Sequence, residues 1–325
     1  MSIPLHLPPL HMPTSMRTDA IPSRFRVSFF HPRHWLTWLG ISLLWLICLL
    51  PITLVLGFGR KLGWLVGRIL KRRRHITRVN LQLCYPELTD AARERLVDDH
   101  FEALGAGVFE TGYAAFASDA CLRKRGELIG VEHLDEAMKG GHGVLLLTGH
   151  FTTLEMGARY LCINNRPFHA MYRPLNDEVL DYFMRKWREG RSLLPALPKS
   201  DLKKLVRTLR EGRCIWYGPD QSLDKEGAAH VPFFGVPALT LTATSRLAHM
   251  GRAKVVPYFP AFVDGRYRVT FLPALENFPG TCEIADTTLI NKMLEAGVRL
   301  SPAQYFWSHR RFKHPPAGMP DPYKR

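Results

Sequence analysis

Leu145-Leu-Leu-Thr-Gly-His-Phe-Thr-Thr-Leu-Glu-Met-Gly157 is the stretch on which the fold turns. Val144 to Thr148 is a short run, apolar but for its last residue, that ends at Gly149, which predicts a strand buried on both faces. A helical pattern follows and carries Glu155, so the unit reads strand, turn, helix, with His150 at the carboxyl end of the strand. Side chains that carry chemistry gather at that end of the strands in open α/β sheets. On a straight helix two residues five apart differ by about 500° of rotation and do not share a face. His150 and Glu155 therefore meet only if His150 sits on the turn and Glu155 in the first turns of the helix. Glu155 then accepts a hydrogen bond from one imidazole nitrogen, and the other nitrogen is free to take a proton from a hydroxyl, as base-assisted acyl transfer requires. The competing reading is a helix-entry histidine beside an exposed glutamate.

Outward from this unit, short apolar runs alternate with helical patterns. Thr89 caps a helix to Phe116 that carries Val97, Phe101, Leu104 and Val108 at helical spacing. Ser200 to Glu211 reads as a helix stopped by Gly212, and Thr240 to Met250 as another. Cys214–Tyr217 and residues 254–259 and 266–272 read as strands. Strands interleaved with helices predict an α/β fold, a central mixed sheet flanked by helices.

The amino-terminal part has a different character. Residues 1–34 read as a mobile tail, 35–58 as a transmembrane or membrane-anchoring helix, and 59–325 as the catalytic domain. Trp35 to Phe58 contains no charged residue and is long enough to cross a hydrocarbon core that needs about 20 apolar residues. Pro51 is placed to kink it, and a shallow re-entrant insertion has the same sequence pattern. Downstream, Arg60, Lys61, Arg68 and Lys71 to Arg74 outnumber the upstream cations, which predicts a single-pass anchor in a bacterial inner membrane with the body on the cytoplasmic side. The net charge of +15 asks for an anionic partner: nucleic acid, an acidic membrane or a phosphorylated ligand. Six scattered cysteines show no C-x-x-C pair and read as free thiols in a reducing compartment.

Several further motifs stand in order along the chain. Tyr172-Arg173-Pro174 places an arginine on an extended loop, either to grip a phosphate or polarise a carbonyl, or to pair with a carboxylate such as Asp220. Asp220, in Gly218-Pro219-Asp220-Gln221, orders Arg173 or the histidine region, or caps a turn. Phe233 and Phe234 in Val231-Pro-Phe-Phe-Gly235 line an acyl tunnel or belong to ordinary core. Arg185, Arg188 and Arg191 with Lys199, Lys203 and Lys204 form a basic stretch that reads mostly as solvated helix faces. Arg310 and Arg311, held among Phe306, Trp307 and Phe312, are the candidates for a substrate phosphate.

Taken together with the H-x4-E run and the ending Pro302-Ala-Gln-Tyr-Phe-Trp-Ser-His-Arg-Arg-Phe-Lys313, these motifs resemble the late lipid A acyltransferases, the lauroyl and myristoyl transferases of Gram-negative bacteria, from the apolar segment to Lys313. Gly149 and Glu155, where related glycerolipid acyltransferases carry Asn and Asp, favour the lipid A branch. The resemblance implies transfer of an acyl chain, lauroyl in the first instance, from acyl carrier protein to a phosphorylated, Kdo-bearing lipid A precursor. It implies His150 and Glu155 as catalytic residues, no metal and no cofactor. Another glycolipid or a phospholipid is the alternative acceptor. A membrane-anchored nucleic-acid-binding protein is the alternative class, but no helix-turn-helix, zinc or RNA-binding signature is present. Neither a G-x-S-x-G elbow, an H-E-x-x-H pair nor a phosphate loop occurs, which speaks against a hydrolase or nucleotide enzyme.

Overall fold

The computed structural model describes residues 24–324. The chain runs through α1 (Trp35–Ile47), α2 (Ile52–Ile69), α3 (Lys71–Cys84), α4 (Asp90–Phe116) and α5 (Asp119–Arg123) before reaching the first strand, β1 (Gly126–Ile129). Then follow α6 (Glu132–Met138), β2 (Val144–Leu147), α7 (Leu154–Ile163), β3 (His169–Tyr172), α8 (Glu178–Ser192), β4 (Leu197–Pro198), α9 (Leu202–Arg210) and β5 (Cys214–Tyr217). The carboxyl-terminal part holds β6 (Ala228–Phe233), β7 (Val236–Leu241), α10 (Ala243–Gly251), β8 (Lys254–Val263), β9 (Arg266–Phe271) and α11 (Glu283–Leu300).

Seven strands form one sheet in the order β1-β9-β8-β2-β5-β3-β4, parallel except for the β8–β9 pair. This is the mixed sheet that the alternating pattern predicts. Its centre, β2, is Val144-Leu-Leu-Leu147 with no exposed side chain, because helices cover both faces. Alternation divides the core in two. Leu145, Leu147, Ile215 and Tyr217 face α9, α10 and α11, whereas Leu146, Cys214, Trp216 and Val256 face α6 and α7. The β6–β7 hairpin stands outside the sheet.

Local chemistry explains most boundaries. Thr89 Oγ1 accepts from the Ala92 amide at 3.3 Å and caps α4 as its sequence predicts. The cap of α9 is Asp201, whose Oδ1 accepts from the Lys204 amide at 3.0 Å, so this helix starts later than Ser200. Thr240 and Leu241 belong to β7, and α10 begins only at Ala243, because the hairpin register takes up Thr240 opposite Ala229.

The expectation of one membrane-spanning helix is corrected. The apolar run breaks at residues 48–51 into α1, 13 residues long, and α2. At about 1.5 Å per residue α1 reaches only about 20 Å, short of the roughly 30 Å of hydrocarbon. Among the described residues no helix is long and apolar enough to cross a membrane. The proline supplies no amide to continue the helix. Beyond it, α2 turns one face onto α4, where Gly63 and Gly105 let the two backbones touch: a Cβ on Gly63 would lie 2.1 Å from the Phe101 carbonyl oxygen. Of the expected tail, residues 1–23 lie outside the described residues. Residues 27–34 form two short 3-10 turns that pack on α8, the Phe29 and Tyr182 rings lying 5.7 Å apart.

Candidate active site

His150 stands on the turn between β2 and α7, as expected, since α7 begins only at Leu154. Its partner is not Glu155. The imidazole Nδ1 donates to Asp220 Oδ1 at 2.6 Å, and the His150 amide donates to Asp220 Oδ2 at 2.8 Å. The topology dictates this pairing: β5 runs parallel beside β2, so the loops leaving their carboxyl ends are neighbours. Gly149 makes the approach possible, since a Cβ there would lie 3.2 Å from Asp220 Oδ2 and 3.1 Å from the Tyr305 ring.

The carboxylate is buried and is held at about 2 by charge and hydrogen bonds: burial raises its pKa, but the imidazole and the His150 amide more than offset this. Burial lowers the His150 pKa, while the charge and hydrogen bond of Asp220 raise it by more, leaving it above the ordinary histidine value. With Nδ1 committed, Nε2 is the nitrogen open to a substrate proton. Gln221 Nε2 lies 3.3 Å from it.

Glu155 is the anchor of a second cluster. Its Oε1 accepts from Arg188 Nε at 3.1 Å and from Arg188 Nη2, and its Oε2 lies 3.6 Å from Arg191 Nη1. The two arginines come from the inward face of α8, where i, i+3 spacing aligns them. That spacing was the available signal, and reading the basic stretch as solvated missed it. Burial raises the Glu155 pKa, and the arginine charges and hydrogen bonds outweigh it, so the carboxylate stays ionised. Replacing Glu155 by Gln is expected to leave two largely buried guanidinium groups uncompensated, at a cost of about 3–5 kcal/mol in urea denaturation. The acid limb of the rate profile should move far less than in a variant of Asp220. An equal displacement would return the orienting role to Glu155.

Residues of both clusters line one cavity of about 1130 Å³ at the carboxyl ends of β3 and β5. On the α7–α8 side its wall includes Ala158, Cys162, Phe168 and Trp216, with Glu155, Arg188 and Arg191. On the other side Leu205, Leu241, Leu247 and Met250 give a mainly apolar lobe between α9, α10 and the hairpin, with Arg246 of α10 also in its wall. Arg173, Lys199 and Lys225 stand at the rim. Burial, then the neighbouring charges of Lys225 and Arg173, pull the Lys199 ammonium below its ordinary value, the mark of cations gathered without a carboxylate between them. Arg173 is exposed there, and Asp220 pairs with the histidine instead.

The remaining expectations are corrected. Arg311 is 1% exposed and donates to the Leu239 carbonyl at 3.0 Å and to Thr240 Oγ1 at 2.7 Å, so it cannot meet a substrate phosphate. Arg310 donates to Asp321 at 2.7 Å, away from the cavity wall. Phe233 and Phe234 pack with Tyr85, Tyr305 and Trp307 in the core and do not line the cavity. What this ending does is cradle the His150 turn. The Phe306 amide donates to the His150 carbonyl at 2.9 Å, the Thr152 amide donates to the Gln304 carbonyl at 2.8 Å, and Asn80 holds the carbonyls of Trp307 and His309.

The model of the bacterial lipid A biosynthesis acyltransferase family matches residues 23–314. The lipid A biosynthesis lauroyltransferase of Escherichia coli (strain K12) is 38% identical over 92% of this chain and 98% of its own length. The palmitoleoyltransferase of lipid A biosynthesis from the same organism is 34% identical over 91% of this chain and 96% of its own, and the myristoyltransferase 28% identical over 97% and 98%.

Proposed function

Because the chain belongs to the bacterial lipid A biosynthesis acyltransferase family and is an acyltransferase of lipid A biosynthesis, we propose that it moves a lauroyl group from acyl carrier protein to a hydroxyl of a phosphorylated, Kdo-bearing lipid A precursor, at the cytoplasmic face of a bacterial inner membrane. The observation that carries the reading is the His150–Asp220 pair, whose imidazole lines a cavity with both a mainly apolar lobe and the cations Arg173, Lys199 and Lys225 in its wall.

In this reaction His150 Nε2 takes the proton of the acceptor hydroxyl while Asp220 steadies the imidazolium that forms. The hydroxyl oxygen bonds to the thioester carbonyl carbon, the carbon–sulfur bond breaks, and the leaving thiolate receives the proton from His150. No acyl group is covalently attached to the enzyme at any stage. Arg173, Lys199 and Lys225 offer positive potential to the phosphates of the acceptor or to the carrier's prosthetic arm. Glu155 acts through Arg188 and Arg191 as a positioning residue that keeps the cavity wall charged and in place.

The apolar lobe suits the acyl chain. Each methylene buried contributes about 0.8 kcal/mol, so the depth of the lobe sets the preferred length. Leu241→Trp is expected to fill part of it and to shift preference toward donors about two to four carbons shorter, by roughly fourfold per methylene, in competition between acyl donors. An unchanged donor profile would remove the chain from this lobe. The reading as a whole is tested by mass spectrometry of lipid A from cells that lack the gene and then regain it: one lauroyl group should disappear and return, and an unaltered lipid A contradicts it.

A further inference from the structure

The apolar run is tied to the catalytic body at both ends. Before α1, Arg33 Nη2 lies 3.4 Å from Glu178 Oε1 and His34 Nδ1 lies 3.5 Å from Asp177 Oδ2. In the first turn of α1, Thr37 Oγ1 donates to Asp177 Oδ2 at 2.8 Å, and the Trp38 ring meets Phe183 edge-on at 5.3 Å. After the bend, Val55, Leu56, Gly59 and Gly63 bury one face of α2 against α4. Between these ties, α1 has no buried residue and no charge, and Leu36, Leu39, Leu43, Leu49, Leu54 and Phe58 present 52–82% of their surface to the exterior. A segment whose two ends are both fastened to one folded body cannot cross a bilayer once.

We propose that α1, the bend at Pro51 and the outer face of α2 form a foot that enters one leaflet of an anionic bilayer and leaves on the same side, with residues 24–34 and the catalytic body on one face of the membrane. Charge selects this occupant over a second copy of the chain. Arg60, Lys61, Lys71 and Arg72 are all exposed around the foot, where two copies would repel and anionic head groups attract. Size agrees as well, because α1 at about 20 Å is suited to a tilted entry into one leaflet of about 15 Å. Trp35, Trp45 and Trp64 are exposed along it, as interfacial aromatic rings are. The foot also lies beside the substrate entrance, for the loop of residues 173–176 lines the cavity and leads directly into Asp177, to which Thr37 is bonded. A glycolipid acceptor then reaches His150 without leaving the membrane surface.

Two measurements test the topology independently of catalysis. Full-length protein is expected to float with phosphatidylglycerol/phosphatidylethanolamine vesicles and poorly with phosphatidylcholine alone. The variant carrying Leu36→Glu, Leu39→Glu and Leu43→Glu, which touches no buried position, should lose flotation by about tenfold or more. In cells expressing Ser28→Cys, a membrane-impermeant maleimide followed by peptide mass spectrometry should label the introduced thiol from the same side as the exposed native Cys282, in inverted vesicles and not in spheroplasts. Labelling at position 28 from the opposite side to Cys282 overturns the proposal in favour of a spanning segment. Undiminished flotation of the triple variant overturns it too, as does self-association of the wild type in place of flotation. Failure of acyl transfer with correct flotation and labelling would instead strike at the catalytic reading alone.

Discussion

His150→Ala is expected to lower turnover by about 10⁴-fold while circular dichroism and the urea midpoint stay near those of the wild type. The size follows because, among the described residues, no other uncommitted base stands beside the imidazole. Gln221 has no proton-accepting nitrogen, and His309, which burial pushes down to about 4, does not line the cavity. Glu155 is committed to its two arginines. The fold should survive because the side chain is 30% exposed and its ring meets Trp216 edge-on at 5.7 Å at the cavity wall, while the turn is held by its backbone, through the bonds to Asp220, Phe306 and Gln304. A variant that keeps a tenth of the wild-type rate would mean that the proton goes elsewhere.

Asp220→Asn should cost about 10²–10⁴-fold in kcat, and the sign of the accompanying pH effect separates orientation from simple structural damage. In the proposed reaction the neutral imidazole is the active form, so kcat/KM is expected to rise as pH passes upward through the raised pKa of His150. Removing the carboxylate takes away what favours the imidazolium, while the desolvation that opposes it remains. The pKa must fall, and the acid limb of the profile must move to lower pH even as the plateau drops. A plateau that drops with the limb unmoved would leave Asp220 as a brace for the loop and no more. The amide of asparagine still has an oxygen for the His150 N–H, so the turn need not collapse.

The difference between what the residues announce and what they conceal follows from range. The strand Val144–Leu147, the turn position of His150 and the cap at Thr89 depend on neighbours within a few positions, and composition alone carries them. The partner of His150 is 70 residues away and is settled by which strand lies beside β2, which only the sheet order specifies. Arginines mislead for the same reason. Arg188, Arg191 and Arg311 look alike in a charge run, but two of them face a carboxylate in the cavity wall and the third spends its donors on Leu239, Thr240 and Asn291 in the core. The apolar run is continuous by composition, yet Pro51 and the glycines of α2 turn it into two helices fastened to the body.

The most direct measurement is transfer in vitro. Purified wild-type enzyme, the His150→Ala variant and the Asp220→Asn variant are each incubated in detergent with lauroyl-acyl carrier protein and a Kdo-bearing lipid A precursor, and the glycolipid is weighed by mass spectrometry across a pH series. One lauroyl group added by the wild type, none by His150→Ala, and slow addition with an acid-shifted profile by Asp220→Asn is the expected result. Wild-type addition that persists without the imidazole, or an Asp220→Asn profile with its acid limb unmoved, would contradict the pair as the machinery of acyl transfer.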